Sequence, residues 1–408
     1  MLGVVVIACL VLALPPVATA VDAAGITSVP VSVVSSSTTD TASTQGSDVS
    51  SDTTGIPDAE SSEASSDTTT IPRVEPSDVS SDTTGSVESS LTLLALGDLM
   101  CHAPQLRAAR VRGGYDFTQA FAPVASTIAS ADIAEGNLET TLRNAPPWAG
   151  YPKFRSPPAY ASALKKAGLD VLGTANNHAL DGGAGGVRYT SNELGRLGMA
   201  RVGTSNRRVA VVQRNGIKVA FLAYTYGTNG IGSPFKGAVN RIDRVQMRKD
   251  IASARKQADA VVMVLHWGTE YSATPETANR RLGRAMIDAG ADLVLGSHPH
   301  VVRPIESYRG HYIVYSMGNF ISGQSQPMTD LGIMVKVKID KRDGKTTVSK
   351  PQVLPVYRDY TSGAGRRSFR TVLIDRALAK KESLISSSDA RAMRKYQKYC
   401  KRMFRGYY

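Results

Sequence analysis

The sequence is poor in cysteine, in histidine and in long apolar runs, and each shortage excludes something. Three cysteines among 408 residues rule out a disulfide framework and a thiolate-rich metal cluster. Cys9 falls within an N-terminal apolar run, which leaves Cys101 and Cys400 far apart in the chain, where one disulfide is permitted and none is required. The run Leu2–Leu14 has 13 residues, too few to span a bilayer as a helix. With Pro15, Pro16 and Ala18-Thr19-Ala20 behind it, residues 1–20 read as an export signal cut after Ala20. No Lys or Arg precedes the run, so an uncleaved N-terminal anchor is the alternative.

From Thr27 to Ser90 aromatic residues are absent and Arg73 is the only basic residue. Ser, Thr, Asp, Val and Pro dominate, a composition that cannot bury enough apolar surface to offset chain entropy. The string Ser-Ser-Asp-Thr-Thr begins at Ser50, Ser65 and Ser80, a period of 15, too short and polar for a solenoid unit. Residues 21–90 are therefore expected to be a disordered stalk.

Charge divides along the same line. Residues 1–90 hold 12 acidic side chains and one basic one, whereas the chain totals +13, so the remainder carries +24. Such a field favours polyanions such as nucleic acid, anionic lipid, teichoic acid or an acidic polymer; a generally basic, solvated surface is the plain alternative. No nucleic-acid recognition motif accompanies the charge, which argues against that partner. Residues 361–408 read as a basic tail, with Lys and Arg densest between Arg391 and Arg405.

The part from 91 to 360 alternates strand and helix patterns. Leu91–Leu96, Asp132–Glu135, Asp170–Thr174, Ala260–Leu265 and Ala291–Leu295 are short apolar runs typical of buried strands. Between them, 117–130, 158–167, 186–197, 243–257 and 276–289 carry helical patterns. Asn215-Gly216 and Asp343-Gly344 mark hairpins. Strands, helices and hairpins mixed in this way predict a layered α/β domain with mixed sheets.

Five polar strings stand directly after predicted strands: Gly97-Asp98-Leu99-Met100, Gly136-Asn137-Leu138-Glu139, Ala175-Asn176-Asn177-His178-Ala179-Leu180-Asp181, His266-Trp267-Gly268-Thr269-Glu270 and Gly296-Ser297-His298-Pro299-His300. Four of the six histidines lie in them. In open α/β sheets ligands collect beyond the carboxyl ends of strands, and carboxylates, amide oxygens and neutral imidazoles suit Mn, Fe or Zn. Taken singly, Gly97-Asp98 is ordinary turn chemistry, Glu139 a helix-cap carboxylate, and Asn177-His178 a turn with a bonded imidazole. Together, at successive strand ends, they point to a metal centre.

In this order the strings resemble the CapA family, the bacterial capsule (poly-γ-glutamate) synthesis proteins, whose domain resembles the calcineurin-like metallophosphatases. The match spans Leu91 to Ile339, and Tyr224-Thr225-Tyr226-Gly227 and Tyr315-Ser316-Met317-Gly318-Asn319-Phe320 agree with it. The resemblance implies a metallophosphatase-like α/β sandwich with mixed β-sheets flanked by helices. It implies one or two divalent ions held by Asp98, by Glu139 as the bridging acid, and by Asn177, His266, His298 and His300, with His178 assisting the leaving group or the phosphoryl oxygens. Phosphatases usually have a histidine two residues after the first aspartate, and here that position is Met100. Either His102 reaches in or one metal subsite is weakened. Glu270 and Asp181 are extra acids able to bind substrate amines, act as acid or base, or orient imidazoles; helix capping is the structural alternative for both.

The function this implies is biosynthesis or export of an anionic capsule polymer. The expected partners are that polymer or its precursor, membrane-bound polymer synthesis proteins, and an anionic membrane or cell-wall surface. An exported metal-dependent phosphoesterase, or a non-catalytic polymer-binding subunit with a degenerate site, are the competing readings.

Overall fold

The structure, a computed structural model, describes residues 88–363, 366–380 and 385–408. The expected export segment and nearly all of the expected stalk lie outside them. Ser89 and Ser90, assigned from sequence to the stalk's end, already belong to the first strand, Ser89–Leu99. They are recruited by pairing, for Ser89 lies opposite Lys341 and Ser90 Oγ donates to Asp340 Oδ1 at 2.7 Å.

Two mixed sheets pack face to face. The first runs Arg366–Leu373, Gln352–Gly363, Leu331–Arg342, Ser89–Leu99, Ile133–Leu138, Val171–Gly173, Ala200–Val202. The short strand Asn319–Ile321 pairs with the tip of Ser89–Leu99. The second runs Ile305–Tyr308, His311–Val314, Leu293–Ser297, Ala260–His266, Ile217–Thr225, Ala210–Arg214. Central strands are apolar on both sides because both faces are covered. Leu93, Ala95, Ile133 and Val171 meet Phe221, Val262, Val264 and Leu295 between the sheets. Leu94, Leu96 and Leu172 turn outward to a cluster with Phe121, Val124 and Leu164 of the helices Thr118–Ala129 and Pro158–Ala167. Val261, Met263 and Leu265 do the same toward Arg244–Arg255 and Thr277–Asp288. The layers are helix, sheet, sheet, helix, the α/β sandwich of mixed sheets flanked by helices expected from the sequence.

Local chemistry sets the helix ends. Pro158 occupies the first turn of its helix and Gly168, at φ 110°, ends it in the left-handed region. Asp243 caps the next-to-last of these helices by accepting from the Val245 and Gln246 amides. The hairpin turn Asp343-Gly344 has both residues at positive φ, 47° and 69°, but the strand after it is only Lys345–Val348; Gln352 starts a separate strand.

The register brings the strand tips to one level. Asp98 stands opposite Asn137 and Asn319, and Asn137 opposite Gly173. In the second sheet Thr225, His266 and Ser297 are aligned.

Beyond residue 360 the structure differs from the basic tail read in the sequence. Gln352–Gly363 and Arg366–Leu373 complete the first sheet, and the helix Ser387–Met403 buries Met393, Tyr396 and Cys400. These apolar residues recur at helical spacing inside a run of cations, so one face packs while the other stays in water. Cys101 and Cys400 are separate buried thiols, each pushed up to about 12 by burial. Among the described residues no helix is long and apolar enough to cross a membrane.

Candidate metal centre

Close backbone approach, which only glycine allows, delivers two of the strand-end strings. A Cβ on Gly97 would stand 2.0 Å from the Gly318 carbonyl oxygen, and one on Gly296 2.3 Å from that of Tyr315. Asp98 and Ser297-His298 follow directly and emerge where the two sheets meet. His298 and His300 both adopt positive φ, 96° and 58°, a costly conformation for histidine. The turn is held by its surroundings: the Tyr271 amide donates to the Pro299 carbonyl at 2.8 Å, and the His298 amide faces Asp98 Oδ2 at 3.4 Å.

The six side chains expected as metal ligands, drawn from all five strings, converge. Asp98, Glu139, Asn177, His266, His298 and His300 are all buried. Ligand atoms of Asp98, Glu139 and His266 lie within 4.8 Å of one another, as do those of Glu139, His298 and His300. Glu139 belongs to both groups. Its Oε1 lies 3.7 Å from His266 Nε2 and 3.7 Å from His300 Nε2. That separation is too long for a hydrogen bond and is close to the roughly 3.5 Å expected between two donors each about 2.1 Å from one tetrahedral ion. Asn177 Oδ1 sits 2.9 Å from His266 Nε2, and His300 Nδ1 lies 3.0 Å from Asp98 Oδ2.

Polar satisfaction also fits a cation. Glu139 Oε1 and His298 Nδ1 are buried with no hydrogen-bond partner, an arrangement that costs about 1–3 kcal/mol per group unless something binds there. Burial, reinforced by Asp98, Glu270 and Asp181, pushes the Glu139 carboxyl well above the usual range. Burial and the neighbouring His298 and His300 hold His266 well below the ordinary imidazole value. Burial, His300 and Arg303 hold His298 down to about 3. These two imidazoles are neutral and offer lone pairs, the state metal binding requires, while the crowded carboxylates supply charge that a cation would neutralise.

The residues expected to do chemistry occupy the wall of a cavity of about 570 Å³ that opens over this cluster and is lined by His178, Asp181 and Glu270 among others. His178 Nδ1 donates to Asp181 Oδ2 at 2.7 Å, and the same oxygen accepts the Phe154 amide at 2.7 Å. Asp181 is thus an orienting carboxylate. The capping alternative fails for it and for Glu270, since the nearby helices are capped at Gly182 and Glu276. Glu270 is exposed on the cavity wall, outside the two ligand groups.

Met100 is buried, and its carbonyl accepts from Gln105 Nε2 at 2.8 Å and Tyr160 Oη at 3.0 Å. His102 lines the cavity, but its Nδ1 accepts the Gly323 amide at 3.1 Å and it joins neither ligand group. Burial, His300 and His178 lower its pKa to about 4.

Several supporting residues escaped the sequence reading. Asn137 Nδ2 donates to Asp98 Oδ1 at 2.8 Å and to Glu139 Oε2 at 3.2 Å. Ser297 Oγ lies 3.0 Å from His266 Nδ1, Asn319 Oδ1 lies 3.1 Å from His300 Nδ1, and the Tyr226 ring lies 4.5 Å from that of His298. All four fall inside strings already notable in the sequence. Arg303 does not: fully buried, it donates to the Thr269 and Ser272 carbonyls and to both Glu276 oxygens, tying the loop after His266 to the segment after His300.

The chain is 37% identical over 187 residues to the PGA biosynthesis protein CapA of Bacillus subtilis (strain 168), covering 44% of this chain and 49% of that protein. It is 29% identical over 274 residues to the capsule biosynthesis protein CapA of Bacillus anthracis, covering 63% and 66%. The chain thus spans about half the length of the first relative and just under two thirds of the second. Among solved structures, a 5'-nucleotidase precursor from Thermus thermophilus aligns at 13% identity over 70% of this chain and 54% of its own, with a TM-score of 0.41, a likeness too low to support any inference. The family model described as bacterial capsule synthesis protein PGA_cap matches residues 92–324, more than half of the chain, and the chain therefore belongs to that family.

Proposed function

We propose that this chain is a cell-envelope protein of capsule polymer synthesis or export whose metal centre hydrolyses a bond in an acidic, poly-γ-glutamate-like polymer or its precursor. The observation that carries the reading is the Glu139 hub, an unpartnered buried carboxylate oxygen equidistant from two imidazole nitrogens. The residues that would hold one or two divalent ions are Asp98, Glu139, Asn177, His266, His298 and His300. When bound, such an ion supplies positive charge that polarises a carbonyl or phosphoryl oxygen and acidifies water. His178, fixed by Asp181 through Nδ1, keeps Nε2 for proton exchange with the leaving group at the cavity wall. Asp181 sets the tautomer and ring plane of that imidazole. Glu270, exposed on the same wall, attracts a cationic substrate group.

The capsule side of the proposal is supported by family membership and by the similarity to PGA and capsule biosynthesis proteins. It is tested with the purified full chain and two substrates, poly-γ-glutamate and a generic phosphodiester, in the presence of Mn or Zn and after chelation. Metal-dependent shortening of the polymer, abolished in His298→Ala, is the expected result. Cleavage of the phosphodiester alone would replace the polymer reading with that of a phosphoesterase, and metal uptake with neither reaction would leave a binding subunit.

A further inference from the structure

The helix Ser387–Met403 is amphipathic in an unusual sense. Met393, Tyr396 and Cys400, with Phe404 after them, are buried against the domain. Arg391, Arg394, Lys395, Lys398, Lys401 and Arg402 line a shallow groove on the exposed side. At 100° per residue these cations occupy an arc of about 120° centred opposite the buried face, over roughly 17 Å of axis. Among the described residues none of the six has a hydrogen bond or an ion pair; Lys401 has only the Tyr408 ring, at 5.6 Å. Elsewhere some surface cations are matched, as in Arg196–Glu193, Arg284–Glu306, Arg309–Asp288 and Lys341–Asp259, and others, such as Arg107, Arg248 and Lys249, are exposed without an ion pair among the described residues; here six share one face of one helix. The acid on this helix, Asp389, is taken by the Tyr357 hydroxyl at 2.8 Å.

We infer that this face is a docking strip for a linear polycarboxylate. A row of unmatched cations with a charge every turn complements a flexible chain that carries an acid on each repeat. A bilayer is the poorer fit: the helix's apolar side is spent on the core, and the exposed large hydrophobic residues, such as Val111, Tyr151 and Val245, all lie on other elements, so nothing on the strip inserts into lipid. Nucleic acid is also poorer, because no exposed aromatic ring on the strip offers a stacking platform.

The buried face of the helix, opposite the cations, is tied to the segment that reaches the cleft. The Tyr396 hydroxyl donates to Asp330 Oδ1 at 2.6 Å, and the Arg358 amide donates to the Asp330 carbonyl at 2.9 Å. Arg358 Nη2 donates to the Gln324 carbonyl at 3.0 Å, and Gln324 lines the cavity over the metal cluster. These contacts fix the helix on the domain and leave its cationic face free. This inference rests on the polymer reading proposed above.

The test uses the full chain, fluorescent poly-γ-glutamate, and a quadruple variant, Arg394→Gln, Lys395→Gln, Lys398→Gln and Arg402→Gln. At low salt the variant is expected to bind the polymer roughly tenfold or more weakly and with a shallower salt dependence. Its metal content and melting temperature should match the wild type, since all four side chains are exposed. Equal polymer binding by variant and wild type overturns the strip and leaves the proposed function standing. Tighter wild-type binding to phosphatidylglycerol vesicles or to duplex DNA than to the polymer, at equal charge concentration, overturns the choice of partner. No polymer binding by the wild type overturns both this inference and the polymer reading.

Discussion

The most discriminating perturbation is Glu139→Gln, because its effect should change sign with metal. Without an ion, the wild-type carboxyl is fully buried, has one oxygen without a partner, and stands beside Asp98. An unsatisfied buried polar group costs about 1–3 kcal/mol. Gln removes the acid and keeps the shape, so the metal-free variant should be more stable by about 1–2 kcal/mol. With an ion at about 1,000 times its dissociation constant the wild type gains about 4 kcal/mol by mass action. The variant loses most of that gain, since the altered oxygen is common to both ligand groups. The order of stability should therefore invert, with the wild type ahead by about 2 kcal/mol in excess metal. The folded-state pKa of Glu139 is raised, so its contribution to metal-free stability is fully present in acid, below the unfolded carboxylate value, and is lost as pH rises through the raised one. The variant's advantage in chelator should accordingly grow with pH. Scanning calorimetry in chelator and in excess Mn or Zn reads all of this. Melting of the variant below the wild type in chelator, or equal stabilisation of both by metal, would refute the assignment of Glu139 as the shared ligand.

Three further outcomes are expected. Asp98→Ala and His300→Ala should each lower the metal content of the purified protein, measured by mass spectrometry, while circular dichroism shows a folded domain. Arg303→Met should cost about 3 kcal/mol in urea unfolding and weaken metal binding. It leaves Glu276 without its fork, and although breaking a buried pair typically costs about 3–5 kcal/mol, the Glu276 side chain retains 33% exposure and water compensates in part; Arg303→Lys should recover only a fraction, because a lysine cannot reproduce the bidentate contact. Glu135, fully buried between the sheets with neither carboxyl oxygen bonded, is pushed up to about 8 by burial. Its stability contribution is complete below the unfolded carboxylate value and declines as pH rises toward 8. Urea midpoints of the chelated wild type should fall over that window and those of Glu135→Gln should fall less; parallel slopes would contradict the burial.

The strand tips were legible because a strand covered on both faces must be apolar. Such a run ending in Asp98, or in Ser297-His298, announces where polar side chains leave the core. Convergence was expected from the placement of the strings and from the resemblance, but its geometry was not legible: Asp98 and His300 are 202 positions apart, on strands of different sheets, and the register within each sheet together with the packing of the two sheets puts them together. Glu135 misled in another way. It ended a predicted strand, where an acid looks solvated, yet the strand continues to Leu138, and the space beside the bare Cα of Gly173 and against Val264 receives its side chain. Arg303 gave no signal because a buried cation is explained by its partner, and Glu276 is 27 residues away. The C-terminal helix was hidden by charge, since its apolar residues, Met393, Tyr396, Cys400 and Phe404, are scattered among cations whose number dominates any local average.

Met100 bears on how the two ligand groups differ. Its backbone carbonyl anchors Gln105 and Tyr160, so the position serves the loop's architecture even though its thioether is a weak ligand for hard ions. His102 offers no replacement, since its Nδ1 is committed to Gly323. Among acidic and imidazole ligands the Asp98 side has two carboxylates and a single imidazole, Asp98, Glu139 and His266, with Asn177 Oδ1 2.9 Å from His266 Nε2. The other side keeps two imidazoles and one carboxylate, His298, His300 and Glu139. Oxygen-rich sets favour harder ions such as Mn, whereas imidazole-rich sets favour Zn or Fe. Two ions held here would therefore be held unequally.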